Sequence, residues 1–290
     1  MTAVTHRPVN AGRPRQAWWL HGAVRYFVLT VGAAVMVLPF LYMLSTSFKS
    51  QTYVLTIPPQ FIPHPATISN YTQVWTGEDF AKYFLNSVIV AVASTLLSLL
   101  LSSMMAYAFA RFRFPGRELL FKLLLLGLMI PAIMLIIPQF VLAKYLGMID
   151  SLTGLVIFYA GFSLSLNTFL LRGFFQAIPV ELEQAMEVDG AGPWTRYWRL
   201  ILPLAKPALA TATILTFLSS WDEFAWALTV INTPEKRTLP IAIALFQGQN
   251  STLWGLVFAA SIIAIVPVIV VFLIFQRQFV QGLTTGAIKG

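Results

Sequence analysis

Long apolar runs separated by short polar segments set the pattern of this chain. A helix needs roughly 20 apolar residues to cross a hydrocarbon core of about 30 Å. Six stretches meet that length: Tyr26–Phe48, Tyr83–Ala110, Leu123–Ala143, Ser151–Leu171, Pro207–Ile231 and Leu253–Phe275. The fifth is interrupted by Asp222 and Glu223. Uncharged sequence already begins at Thr238, but its first part holds Pro240, Gln247, Gln249 and Asn250 and reads as an external loop. The first run, at 23 residues, exceeds the ~7–15 apolar residues of a cleaved leader and reads as a retained span. The pattern predicts an all-α, polytopic membrane helix bundle with six transmembrane helices.

Composition supports a bilayer setting. Apolar residues make up 58% and charged residues 10%, with a mean hydropathy of +0.76. A soluble surface needs more charge to stay dispersed. The net charge of +8 does not point to nucleic acid, because the basic residues gather between apolar runs, where they set topology. With the N-terminus on the cytoplasmic side, 14 Lys and Arg fall inside: Arg7, Arg13, Arg15, Arg25, Arg111, Arg113, Arg117, Lys122, Arg172, Arg196, Arg199, Lys206, Arg277 and Lys289. Five fall outside: Lys49, Lys82, Lys144, Lys236 and Arg237. That bias predicts both termini cytoplasmic. The chain then divides into a tail, 1–25, a transmembrane region, 26–276, and a second tail, 277–290. With no cysteine, thiolate chemistry is excluded, and His6, His21 and His64 fit no metal site. No residue is read as catalytic.

Pro39, Pro131, Pro138 and Pro267 fall inside predicted spans, where each removes a helix hydrogen bond and kinks the axis. The connection 172–206, between spans 4 and 5, is long and charged, carrying Glu181, Glu183, Glu187, Asp189, Arg196, Arg199 and Lys206. It predicts two short helices. Pro179 suits a first helical position, with Glu181 and Glu183 near the positive end of the dipole. Leu182, Ala185, Met186 and Asp189 share one face. Gly190 can end the helix in a left-handed conformation, and Pro193 can open the next. Two uses remain open: docking into a groove of a cytoplasmic partner, or lying on the membrane surface.

The same segment resembles the cytoplasmic loop of binding-protein-dependent ABC importer permeases. That pattern is Glu-Ala-Ala, three residues, Gly, nine residues, Ile, one residue, Leu-Pro. It stands here as Gln184-Ala185-Met186, Gly190, Leu200 and Leu202-Pro203, with every gap matched. Gln184, Met186 and Leu200 depart from it. Losing the Glu at 184 removes a charge from the loop, and Glu183 beside it could compensate. Tyr83–Ser87, Ala106–Phe112, Trp221–Phe224 and Gln276–Val280 with Gly282-Leu283-Thr284 and Gly286-Ala287 resemble the carbohydrate-uptake branch, in particular its maltose-type G subunits. The resemblance runs from about residue 25 to the C-terminus.

The resemblance implies a multi-pass permease subunit of the bacterial inner membrane. Its expected partners are a companion permease, two cytoplasmic ATPases, an extracytoplasmic solute-binding protein and the lipid bilayer, with no nucleic acid. Glu183, Gln184, Ala185, Met186, Asp189, Gly190, Leu200, Leu202 and Pro203 would then form the ATPase-coupling loop. This chain has no Gly-x-x-x-x-Gly-Lys-Ser/Thr, so it lacks the usual phosphate cradle. ATP and Mg would bind to the partner subunits, and this chain would bind no cofactor. The resemblance of the last residues implies a tail reaching between the ATPases, whereas composition alone allows a disordered end.

Trp221, Asp222, Glu223 and Phe224 are candidates for the substrate path. Ionisable groups at membrane depth usually face a cavity or partner, and aromatic rings beside carboxylates suit a sugar. Yet Asp222 lies 16 residues beyond Lys206, about 24 Å at ~1.5 Å per residue. An outer-interface position, where Trp is enriched, stays open. The alternative class is a secondary, ion-coupled transporter, which would need intramembrane charges. Only the fifth span clearly has them.

Overall fold

The computed structural model describes residues 15–54, 56–77, 79–248 and 252–287, and only the backbone within 15–21 and 280–287. His6, Arg7, Arg13, Gln249, Asn250 and Lys289, which entered the metal, topology and loop readings, lie outside the described residues. The described residues are almost entirely helical. Their only β pairing is two isolated bridges, Lys49 with Ala66 and Gln247 with Thr252.

Among the described residues, four helices are long and apolar enough to cross a membrane: Gly22–Ser47, Phe80–Arg111, Leu152–Ala177 and Trp254–Phe279. They belong to α1 (Arg15–Ser47), α3 (Phe80–Arg111), α6 (Leu152–Ala177) and α13 (Trp254–Ala287). A short α2 (Ser69–Thr76) precedes α3. The predicted third and fifth spans are not single rods. The third is α4 (Arg117–Met129), a 3₁₀ turn over Ala132–Leu135 and α5 (Ile136–Tyr145), bent by 98°. Pro131, which has no N–H to continue the ladder, stands at the break. Pro39 and Pro267, by contrast, lie inside continuous helices.

The fifth run ends early, because α10 (Lys206–Trp221) stops at Trp221 and a separate α11 covers Ala225–Val230. On its other side, α10 meets Pro193–Leu204 at 77°. Six spans result only if each bent pair crosses as one. The stretch read as an external loop contains a helix, α12 (Leu239–Leu245), whose Leu239, Ile241 and Ala242 are buried. The last helix continues to Ala287, so the glycine-containing end is helical rather than irregular as far as that residue.

At the centre, α3 packs along α6 and α10. Burial of apolar surface cannot drive this contact in lipid, so small residues and polar bonds matter more. The buried face of α3 accordingly carries a run of small residues, Ser87, Ala91, Ser94, Thr95, Ser98, Ser102, Ser103 and Ala106, beside larger ones such as Val90 and Tyr107, and α10 contributes Ala208, Ala212, Thr216 and Ser220. Ser94 Oγ donates to Ser220 Oγ at 3.0 Å. Asn167 Nδ2 of α6 donates to Ser98 Oγ at 3.1 Å and to Thr216 Oγ1 at 2.8 Å, joining all three helices. A similar close approach seats α4 on α6. Ser165 Oγ donates to the Leu124 carbonyl at 2.8 Å, and a Cβ on Gly127 would lie 2.8 Å from that Oγ.

Three apolar clusters surround this seam. One joins α2, α3, α10, α12 and α13 through Val74, Phe80, Phe217, Trp221 and Ala260. A second gathers Leu155, Tyr159, Trp226 and Val230. The third, at the other end of α3, gathers Tyr107, Leu171, Phe175, Tyr197 and Ile201. In contrast, α1 contacts α13 but leaves the apolar residues from Val24 to Leu41 largely exposed.

Replacing Ser98 by Leu would put three more carbons into this fully buried seam and remove an Asn167 partner. Overpacking of this kind costs about 1–3 kcal/mol, so the unfolding midpoint of the detergent-purified chain falls. Leu96→Ser, on the exposed face, leaves it nearly unchanged.

Candidate functional site

The 172–206 connection forms the two predicted helical pieces. The first is α7 (Val180–Val188), with Pro179 at the N-cap, one position before the expected N1. Gly190 has φ +78°. Around it, Ala191 N–H donates to the Met186 carbonyl at 2.9 Å and Gly190 N–H to the Glu187 carbonyl at 3.0 Å. This doubly bonded end satisfies carbonyls that a helix C-terminus would otherwise leave free. Pro193 opens α8 (Pro193–Arg196), which continues through a π turn, Tyr197–Ile201, into α9 (Leu202–Leu204). Arg196 Nη1 donates to Glu187 Oε2 at 2.5 Å and ties the two pieces together.

Most of α7 is exposed, and Glu183 is its one buried residue. Leu182, Gln184, Ala185 and Asp189 are exposed and Met186 is half-buried. Val188 is 88% exposed and Trp194 61%. Leu182, Ala185, Val188 and Trp194 are apolar side chains without a covering element among the described residues. Leu200 and Leu202 are half-buried and Pro203 is exposed.

Glu183 points the other way and is 5% exposed. Its carboxylate pairs with Arg111 Nε and accepts from Tyr107 Oη at 3.2 Å. Arg111 Nη2 also donates to the Ile178 carbonyl at 2.8 Å. A buried charge is tolerated only when paired and hydrogen-bonded, and here both conditions hold. Glu183 therefore adds no charge to the exposed face and does not replace the acid missing at 184. The second piece grips the same helix, since Tyr197 Oη and Ser103 Oγ lie 2.7 Å apart. Sequence reasoning missed Arg111, Tyr107, Tyr197 and Ser103 as parts of this site. An arginine ending an apolar run reads as a topology signal, and the available clue was the Ala106–Phe112 stretch.

The Trp221–Phe224 quartet is divided as well. Trp221 is 3% exposed; it stacks on Phe217 at 5.6 Å and meets Phe84 edge-on at 5.8 Å. Its Nε1 donates to the Ala264 carbonyl at 3.2 Å, linking α10 to α13. Glu223 accepts from the backbone N–H groups of Trp226 at 2.7 Å and Ala227 at 3.0 Å, and from Tyr159 Oη at 2.5 Å. It caps α11 and fastens it to α6, which explains why the fifth run breaks there. Of the four, Asp222 and Phe224 are exposed, Glu223 is half-buried and Trp221 is buried.

The opposite end of α3 is also fixed by polar bonds. Asn86 Nδ2 donates to the carbonyls of Glu235 and Arg237, each at 2.9 Å. Leu239 N–H donates to Ser87 Oγ at 2.7 Å. Asp150 accepts from Asn232 N–H, Thr233 N–H and Thr233 Oγ1 at 3.0, 2.9 and 2.5 Å, and from Lys236 Nζ at 3.0 Å. The Thr233 bonds first, with Lys236 and Asn232, hold its carboxyl well below the usual range. The Tyr83–Ser87 stretch thus positions a loop.

These placements predict opposite outcomes for neighbouring residues. Glu223→Ala removes three accepted bonds and lowers the thermal midpoint of the purified chain. Asp222→Asn leaves that midpoint unchanged. Paired thermal unfolding of the two variants checks this.

The chain is similar to known proteins over most of its length. The family model for the binding-protein-dependent transport system inner membrane component matches residues 98–285. The trehalose transport system permease protein SugB of Mycobacterium tuberculosis is 39% identical over 264 residues, covering 90% of this chain and 95% of that protein. The diacetylchitobiose uptake system permease protein NgcG of Streptomyces coelicolor is 33% identical over 269 residues, covering 92% and 89%. A chain from the crystal structure of a bacterial ABC transporter involved in import of the acidic polysaccharide alginate superposes with a TM-score of 0.79 at 27% identity, covering 93% of this chain and all of that one. Fold and sequence agree along nearly the whole length, and the chain belongs to the binding-protein-dependent transport system inner membrane components.

Proposed function

We propose that this chain is the permease subunit of an ATP-driven importer for a sugar or sugar-like solute in a bacterial inner membrane. It forms half of the translocation pathway beside a companion permease and receives solute from an extracytoplasmic binding protein. Six crossings, with both termini cytoplasmic, complete the reading. The bias of Lys and Arg supports the orientation, and the two bent helix pairs can supply the third and fifth crossings. The substrate class follows the relatives, whose names specify trehalose and diacetylchitobiose. The exposed length of α1 fits lipid or the companion permease.

One observation carries the assignment of the coupling surface: the outward face of α7, with Leu182, Ala185, Val188 and Asp189 exposed beside a rigid Gly190 turn. A short helix fixed at its base and bare on its outer side suits insertion into a cleft of a partner. In this reading two cytoplasmic ATPases supply that cleft and bind ATP and Mg. The chain itself performs no catalysis. Asp222 and Phe224 are the proposed solute-facing members of their quartet.

A secondary carrier would need buried charges to bind and release an ion. Glu223, the half-buried acid of the fifth run, already accepts three protein hydrogen bonds. That occupancy favours the ATP-driven reading.

Two substitutions test the surface. Gly190→Pro removes the Gly190 N–H bond and excludes the positive φ, and Ala185→Trp adds bulk to the exposed face. Each should reduce solute uptake in reconstituted vesicles at least about tenfold, with loss of co-purified ATPase or of coupling to it. Normal uptake by either variant contradicts this role for α7.

A further inference from the structure

The third cluster and the polar seam meet on one helix. Ser103, Tyr107 and Arg111 follow at intervals of four along α3, so they share a face. That face holds both pieces of the 172–206 connection. Ser103 bonds Tyr197, Tyr107 and Arg111 hold Glu183, and Arg111 also holds the Ile178 carbonyl. At the other end of the same helix, Asn86 and Ser87 hold the segment Glu235–Leu239. Between them, Ser94 and Ser98 fasten α3 to α10 and α6. From Asn86 to Arg111 is 25 residues, about 37 Å of helix at ~1.5 Å per residue.

We propose that the buried Glu183–Arg111 pair is a positioning contact that makes α7 and α3 move as one body, so that displacement of the loop reaches the far end of the membrane region. This rests on the reading of α7 as the ATPase-facing surface. Three features of the pair suit the role. It is directional, because the guanidinium reaches a carboxylate and a backbone carbonyl from neighbouring turns. It is desolvated, because Glu183 and Arg111 side chains are only 6% and 13% exposed. Breaking it would leave a buried charge uncompensated, so sliding of α7 over α3 is disfavoured relative to movement together. The second piece is attached separately, through the 2.7 Å contact of Tyr197 Oη with Ser103 Oγ. Beside the pair lies a cavity of about 260 Å³ lined by Met104, Tyr107, Phe112, Pro193, Trp194 and Tyr197, and the Tyr107–Pro193 bond is long, at 3.4 Å. The ion pair fixes the register of α7 on α3, and the Tyr197–Ser103 contact fixes that of the second piece.

The test uses Glu183→Gln in the complete complex reconstituted in vesicles, with ATP hydrolysis and solute uptake measured together. The proposal expects the ATPases to remain bound and hydrolysis to stay within about twofold of the unaltered complex. Solute moved per ATP should fall at least about tenfold. A fold-support role alone would lower both rates in proportion, and that result, or an unchanged ratio, overturns the proposal. If Glu183→Gln does not assemble, the double change Glu183→Met with Arg111→Met removes both charges at once and leaves none unpaired. Assembly with a reduced ratio supports the proposal, while failure to assemble, or a normal ratio, overturns it. The unaltered complex serves as the separate check on α7 itself. If it retains no ATPase, the reading of the surface fails; if it retains one and only the variants keep a normal ratio, the ion-pair proposal alone fails.

Discussion

The structure depends on how helices hold together where apolar burial gives no preference for one neighbour over another. Lipid tails solvate leucine as well as protein does, so association rests on close backbone approach and interhelical hydrogen bonds. The serine-rich face of α3 answers that constraint. Ser94 and Ser98 bring α10 and α6 close, and Asn167 bridges the three helices. The outward faces need only be apolar, and they are, with Leu96 and Leu100 of α3 exposed. Because α3 is fixed along its length, whatever is fastened to its two ends is held in a defined relation.

Acidic side chains in this molecule act mainly as fasteners. Glu183 draws α7 onto α3, Glu223 caps α11 against α6, and Asp150 gathers the turn from Asn232 to Lys236. Each satisfies several donors at once. What remains uncovered is then informative: the bare side of α7, and Asp222 with Phe224.

Much of this was legible in the sequence, for physical reasons. Apolar length located the four long helices, because a bilayer demands it. The Gly190 turn and the Pro193 start were visible because glycine and proline restrict backbone geometry directly. The breaks at Pro131 and at Asp222–Phe224 were harder, since hydropathy registers apolar content and not axis direction. Helix α12 was missed because its seven residues include Pro240 at the second position and precede polar ones, as a loop would. The inward turn of Glu183 was not legible at all. Glu181, Glu183 and Glu187 look alike along the chain, and only the arrival of Arg111, 72 residues earlier, distinguishes one of them. Trp221 likewise read as a sugar platform until its partners Phe84, Phe217 and Ala264 filled the space around it.

The central claim is that this chain joins binding of an external solute carrier to ATP hydrolysis on partner subunits. The most direct measurement is ATPase activity of the reconstituted complex, with and without candidate binding proteins loaded with sugar. The account predicts that one loaded binding protein stimulates hydrolysis several-fold above both its empty form and the others. A complex with no associated ATPase, or one whose hydrolysis no loaded binding protein changes, would contradict it.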